Sequence, residues 1–133
     1  MNIIHINKLC KNTLISHLKI KIIEAKKDKL KGTMPVGKNT LNPRGVLHGG
    51  ATLALIETLG SGLSYYTSDM EKTNVFGIEV NTNHVRSVTK GKVYGIAEFL
   101  HKGRSTHVVE VKVFSDEDKL ISVGRVTNMI IQK

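Results

Sequence analysis

The chain has 133 residues, which fits one compact domain and leaves little room for a second. Hydrophobic residues make up 40% of it, enough for a core, and the single cysteine, Cys10, excludes an internal disulfide. The formal net charge of +9 favours anionic partners (nucleic acid, a membrane surface or a phosphorylated ligand) without choosing among them.

No apolar run approaches the roughly 20 residues of a membrane span. "MNIIHINKLCKNTL" also lacks the apolar stretch and small-residue cleavage site of a signal peptide. The expectation is one cytoplasmic domain over residues 1–133. The spacing of Ile6, Leu9, Leu14 and Leu18 predicts one short amphipathic helix over 6–18. "KIKIIEAKKDKLKGTMPVG" alternates and breaks near Lys27 and Asp28, as two strands joined by a polar turn would. Its lysines read as a solvated strand and turn. Pro35, Gly37 and the stretch from Asn39 to Arg44 are loop signals.

A helix follows, roughly 48–66. Ala51, Leu55, Ile56, Leu59 and Leu63 share one broad face, which reads as core. The opposite stripe carries Gly50, Glu57, Gly60, Ser61 and Ser64. Small residues there permit close approach, so the stripe should face a partner surface or a ligand. Glu57 reads either as a surface acid at a helix contact or as an acid–base group near apolar surface. His48-Gly49-Gly50 opens the helix, where free amides and the helix dipole can bind developing negative charge. The same glycines would also serve a plain loop-to-helix turn.

Everything after the helix reads as strand. "VFGIEVNTNHVRSV", "KVYGIAEFL", "STHVVEVKVF" and "LISVGRVTNMIIQ" are separated by turns at 89–91, 101–104 and 115–119. Short connections make neighbours antiparallel and predict a four-strand meander in an α+β layer fold. His5, His17, His48, His84, His101 and His107 show no metal-ligand spacing, and a phosphate-binding or dinucleotide fingerprint is absent. With three Tyr, three Phe and no Trp, nucleic-acid binding is disfavoured.

Four stretches together resemble the hotdog-fold acyl-CoA thioesterases, most closely the small branch acting on aroyl-CoA thioesters. They are "NPRGVLHGGATLALIETLGS" at 42–61, "NTNHVRSVTKGKV" at 81–93, "HKGRSTHVVEV" at 101–111 and "GRVT" at 124–127. The resemblance covers residues 35–131. It implies an antiparallel sheet wrapped around one long helix, with active sites between subunits of a dimer or a dimer of dimers. It further implies hydrolysis of an acyl-CoA, aromatic by the closest likeness, with CoA part of the substrate and no cofactor or metal.

Carried over by motif, Glu57 matches the catalytic carboxylate, as nucleophile or as general base. Gly49 matches the amide that polarises the thioester carbonyl, and Gly50 follows it. Asn42 matches the side-chain amide holding water or thioester, and His48 the histidine beside it. Ser61 matches the hydroxyl one turn beyond the acid. Arg104, Ser105 and Thr106 match a stretch meeting pantetheine and pyrophosphate, while His84 and Arg86 lie in a segment near the cleft. Lys90 and Lys102 join Arg86 and Arg104 as cations suited to the phosphates of CoA. Structural alternatives remain open: Asn42 as a turn cap, Ser105 and Thr106 as a strand start.

Two departures bear on the acyl group. Menaquinone-type relatives usually carry glutamine at Asn42, whereas the phenylacetate-pathway relatives that carry asparagine use aspartate at Glu57. Relatives often read "QVW" at His107-Val108-Val109. The rival reading is a non-catalytic acyl-CoA-binding protein, a sensor or carrier. Residues 1–34 carry no recognisable chemistry and are expected to cover a sheet edge or lid the acyl pocket.

Overall fold

The computed structural model describes residues 2–133. In chain order the elements are α1 (Ile3–Leu9), α2 (Leu14–His17), β1 (Lys21–Ala25), β2 (Lys29–Pro35), α3 (Gly49–Thr67), β3 (Thr73–His84), β4 (Lys92–Lys102), β5 (Thr106–Ser115) and β6 (Leu120–Gln132). The six strands form one antiparallel sheet in the order β1-β2-β4-β5-β6-β3, and α3 packs against five of them.

The core is the interface of that helix and sheet. Leu55, Ile56, Leu59 and Leu63 are fully buried against Val93, Ala97, Val109, Val111, Val113 and Val126. Burying such a side chain is worth about 1.5–3 kcal/mol. Leu59 seats in a notch made by the paired glycines Gly32 and Gly95. A β-carbon on Gly95 would come within 2.5 Å of Leu59 Cδ1, and one on Gly32 within 2.8 Å of Cδ2. A β-carbon on Gly60 would overlap the Val126 side chain.

Three expectations are corrected. The helix expected over 6–18 is two helices. Asn12 takes a left-handed φ of 61° between them, and Ser16 Oγ accepts from the Thr13 amide to start a new turn. The strand after α3 does not open a four-strand meander: it lies at the far edge, paired with β6. The connection 85–91 crosses the end of the sheet instead of turning back. In passing, Val85 donates to Ile121 O, the Leu47 amide donates to Val88 O and the Val36 amide donates to Gly91 O. After α3, the hairpin series is formed by β4, β5 and β6. Finally, Gly60 and Ser64 of the supposed outer stripe are buried against the sheet.

The two sheet edges are treated differently. At β1 the Asn7 side chain acts as a surrogate strand: its Nδ2 donates to Ile22 O at 2.8 Å and its Oδ1 accepts from Ile22 N at 2.9 Å. Within the segment expected to cover an edge, α1 does so through Asn7, while β1 and β2 are themselves strands of the sheet; Met1 lies outside the described residues. At the other edge, β3 runs 12 residues with a neighbour on one side only, and Phe76 (52%) and Ile78 (53%) are exposed. The β3–β6 register slips between Gly77 and Glu79, a bulge beside the outward face of α3.

Replacing Gly60 with alanine tests the seating of the helix. Helix propensity alone would favour alanine by about 1 kcal/mol. Overlap with Val126 is expected to reverse that and destabilise the fold by roughly 1–3 kcal/mol. A urea denaturation midpoint raised above wild type would contradict the close contact.

Candidate active site

The start of α3 is capped by its own histidine. His48 is the N-cap, and its Nδ1 accepts from the Gly50 amide at 2.8 Å. The Ala51 and Thr52 amides donate to His48 O. Among the described residues this leaves the Gly49 amide as the one first-turn donor with no protein partner. The His84 ring lies against it: a β-carbon on Gly49 would sit 2.8 Å from His84 Nε2. His84 Nδ1 is held 2.7 Å from the buried Ser122 Oγ.

Asn42 does cap a turn, as one alternative held. Its Oδ1 accepts from the Arg44 amide at 2.9 Å and from the Val46 amide at 3.4 Å. That spends the oxygen and leaves Nδ2 to donate outward. Asn42, Gly49, His84, Arg86 and Ser122 line one hollow of about 400 Å³.

Glu57 belongs to a second cavity. A groove of about 590 Å³ runs between α3 and the N-terminal helices, walled by Glu57, Ser61, Tyr65 and Tyr66 on one side and Leu9 and Leu14 on the other. The N-terminal helices thus form one wall of the groove that holds Glu57. Glu57 is exposed in the single chain, whereas Ser61 is half-buried. Both face Gly77 of β3, whose β-carbon position lies 3.2 Å from Ser61 Oγ and 3.3 Å from Glu57 Oε1.

The hollow and the groove share no lining residue. Gly49 and Glu57 stand eight residues apart on a straight element, about 12 Å along its axis at about 1.5 Å per residue. A carbonyl bonded to the Gly49 amide lies beyond the helix end, farther still from its own Glu57. At that distance the two groups of one chain cannot meet at one thioester carbonyl.

Beneath α3 the sequence reading missed a chain of polar groups. Ser61 Oγ donates to Asn128 Oδ1 at 3.1 Å. Asn128 Nδ2 donates to Gly60 O at 3.1 Å and to Ser64 Oγ at 2.8 Å. Ser64 Oγ lies 3.0 Å from His107 Nδ1. Asn128 is 0% exposed and His107 4%. Burial pushes the His107 pKa below its ordinary value, and nearby Lys102 and His101 push the same way, against a backbone hydrogen bond to Gly103. A signal for both residues was available in strand alternation: Asn128 is in phase with Val126 and Ile130, and His107 with Val109, Val111 and Val113.

The remaining predicted residues stand apart. Arg104 and Ser105 are exposed at the β4–β5 turn and Thr106 starts β5; none lines the hollow or the groove. Arg86 Nη1 donates to Leu120 O at 3.3 Å. Lys102 Nζ lies 5.1 Å from the Phe99 ring centroid. Lys90 lines a separate hollow with residues of the β5–β6 turn.

A family model described as "Thioesterase superfamily" matches residues 44–122. The 1,4-dihydroxy-2-naphthoyl-CoA hydrolase of Escherichia coli K12 is 35% identical over 126 residues, covering 95% of this chain and 91% of the relative. The proofreading thioesterase EntH of Cronobacter turicensis is 35% identical over 126 residues, with the same coverage of 95% and 91%. The crystal structure of a Haemophilus influenzae thioesterase superposes with a TM-score of 0.95 at 38% identity, covering 99% of this chain and 92% of the other. Sheet order, central helix and these likenesses agree: the chain belongs to the thioesterase superfamily and is a thioester hydrolase with the hotdog fold.

Proposed function

We propose that the protein hydrolyses aromatic acyl-CoA thioesters at a site completed by two copies of the chain. One copy supplies the Gly49 amide, His84 and Asn42, and the other supplies Glu57 and Ser61. The separation of about 12 Å between Gly49 and Glu57 on one rigid helix carries this reading. Reacting atoms must approach to about 3–3.5 Å, which the two groups of one chain do not allow.

The bare β3 edge supports the pairing. A long unpaired strand with exposed Phe76 and Ile78 is a template for joining another chain. The edge at β1, closed by Asn7, offers no such template. Sheet continuation through β3 would bring the outward faces of two α3 helices together near the Gly77 bulge. A homodimer formed in this way is the proposed unit, alone or paired into a dimer of dimers.

The chemistry follows from the groups. A thioester oxygen gains negative charge during attack, and a helix-terminal amide such as that of Gly49 would stabilise it by about 3–4 kcal/mol. His84 and the free Nδ2 of Asn42 lie beside the same hollow. Glu57 attacks the carbonyl or deprotonates water. Thiolate is a good leaving group, so the proposed route uses no cofactor and no metal.

The acyl group fits the groove, where Tyr65, Tyr66, Leu9 and Leu14 suit an aromatic ring. The activity named for the E. coli relative supports this class. Arg86, Arg104, Lys90 and Lys102 are proposed to meet the CoA phosphates, with Ser105 and Thr106 beside the pantetheine. This agrees with the formal charge of +9. A cytoplasmic location belongs to the same reading, and the single free thiol at Cys10 is compatible with it.

Two experiments test it. In a thiol-release assay over benzoyl-CoA and palmitoyl-CoA, the aroyl ester should turn over faster. Glu57→Ala should lose at least about 100-fold in kcat, as expected for removal of an activated nucleophile or base. Equal turnover by that variant would remove Glu57 from the mechanism. Saturable binding without thiol release would mark a binding protein.

Subunit sharing has its own assay. Glu57→Ala and His84→Ala should each be inactive alone, yet regain activity when unfolded and refolded together. Random pairing makes half the dimers mixed, each with one intact site, so about a quarter of the wild-type rate should return. No recovery from folded mixed dimers would place both residues of a site in one chain.

A further inference from the structure

The polar chain beneath α3 has one hydrogen arrangement, fixed from both ends. A backbone carbonyl only accepts, so the Asn128 nitrogen must face Gly60 O and its Oδ1 must face Ser61. That oxygen carries no hydrogen, so the Ser61 hydroxyl donates to it. The second Nδ2 hydrogen goes to Ser64 Oγ. At the far end, burial holds the His107 ring towards its neutral form, and its Nδ1 is the acceptor within reach of the Ser64 hydroxyl, whose oxygen already accepts from Asn128. Ser64 donates to it over 3.0 Å.

Every hydrogen in the series therefore points away from Glu57. Ser61 Oγ presents only lone pairs to the groove, next to a carboxylate that also accepts. Both oxygens lie over Gly77, 3.2 Å and 3.3 Å from the position a β-carbon there would take, which sets them side by side. Two acceptors side by side with no donor between them suit a species with two hydrogens.

We infer that Asn128, Ser64 and His107 are positioning residues that lock Ser61 as a hydrogen-bond acceptor beside Glu57, so that the attacking group is a water molecule held between the two oxygens. Glu57 takes one proton of that water as its oxygen bonds to the thioester carbon, and Ser61 accepts the hydrogen bond of the other. The carbonyl electron pair moves onto oxygen. Collapse of the intermediate breaks the C–S bond, and the departing thiolate receives the proton held by Glu57. The inference rests on the thioesterase reading and narrows its open choice between nucleophile and base.

Ser64 is the most economical place to cut the series, since Ser64→Ala removes one oxygen. With benzoyl-CoA, Ser64→Ala should lower kcat about 10-fold with KM unchanged, the size of a mis-set general-base step. In a Ser61→Ala background the same change should cost nothing more, because the group it positions is gone. His107→Leu should behave like Ser64→Ala. His107→Gln, able to accept from Ser64 and donate onward, should recover most of the loss, so the result does not depend on one variant folding. Nitrogen-15 NMR of the wild-type His107 ring should show hydrogen on Nε2, without reference to any substrate.

Unchanged kcat in folded Ser64→Ala, a full additional loss in the Ser61→Ala background, or a His107 ring protonated at Nδ1 would each overturn the inference. Wild-type protein that releases no thiol would fail the activity reading itself. Active wild type beside an equally active Ser64→Ala would fail this inference alone.

Discussion

Gly60 of α3 and Val126 of β6 meet where no β-carbon would fit, and that contact sets how near the helix lies to the sheet. Its consequences run along both elements. Two residues further on β6, Asn128 points the same way as Val126 and reaches the Gly60 carbonyl and the Ser64 hydroxyl. One residue along α3, Ser61 turns outward but still touches Asn128. One turn earlier, Glu57 clears the sheet and enters the groove. At the helix start, the same seating leaves the His84 ring against Gly49. Side chains built on a rigid helix and sheet are held more closely than loop residues would be.

A rigid rod also keeps its ends apart. The property that fixes Glu57 and the Gly49 amide so well prevents them from meeting within one chain. In the proposed pairing, two helices run antiparallel across a two-fold axis, and each acid comes opposite the other helix's start. The fixed spacing then becomes the distance between two equivalent sites. The asymmetry of the sheet edges suits this arrangement. Asn7 closes the β1 edge, where N-terminal helices wall the groove, and β3 stays open, where the acids face outward. An isologous contact of this kind satisfies both copies with one surface.

Much of this was legible in the residues. The 3.6-residue spacing of Leu55, Ile56, Leu59 and Leu63 gave the helix within one residue at each end, because a fully apolar stripe admits no other register. Alternation gave β5, and quoted motifs gave the family. The place of β3 was not legible. Local pattern reports that a segment is extended, and pairing depends on which partner's hydrogen bonds are free. The connection 85–91 satisfies its own groups against β6, the pre-helix loop and β2, so it has no need to turn back. His84 was assigned only to a segment near the cleft, because its contact with Gly49 joins residues 35 apart in sequence. Ser64 was placed on the outer stripe because a helical projection cannot tell a small residue facing solvent from one facing a glycine-lined sheet. Cα-scale periodicity also carries no hydrogen inventory, so the acceptor state of Ser61 was out of reach.

The polar line sits in an expensive place. Asn128 and His107 occupy inward strand positions whose neighbours are Val109, Val126 and Ile130, and apolar replacements would fill that layer at lower desolvation cost. A buried network is tolerable only when each member is satisfied, since a half-satisfied one is worse than an apolar core. Here satisfaction is complete: among the described residues no buried side-chain nitrogen or oxygen lacks a partner. The line also begins at a residue that faces the groove. Ser64, Asn128 and His107 by themselves would leave Asn128 Oδ1 without a donor. Instead Asn128 Oδ1, the one acceptor left after its nitrogen is spent on Gly60 and Ser64, is used on Ser61. That choice orients a hydroxyl at the groove wall, and it is what a buried polar group provides that a valine would not.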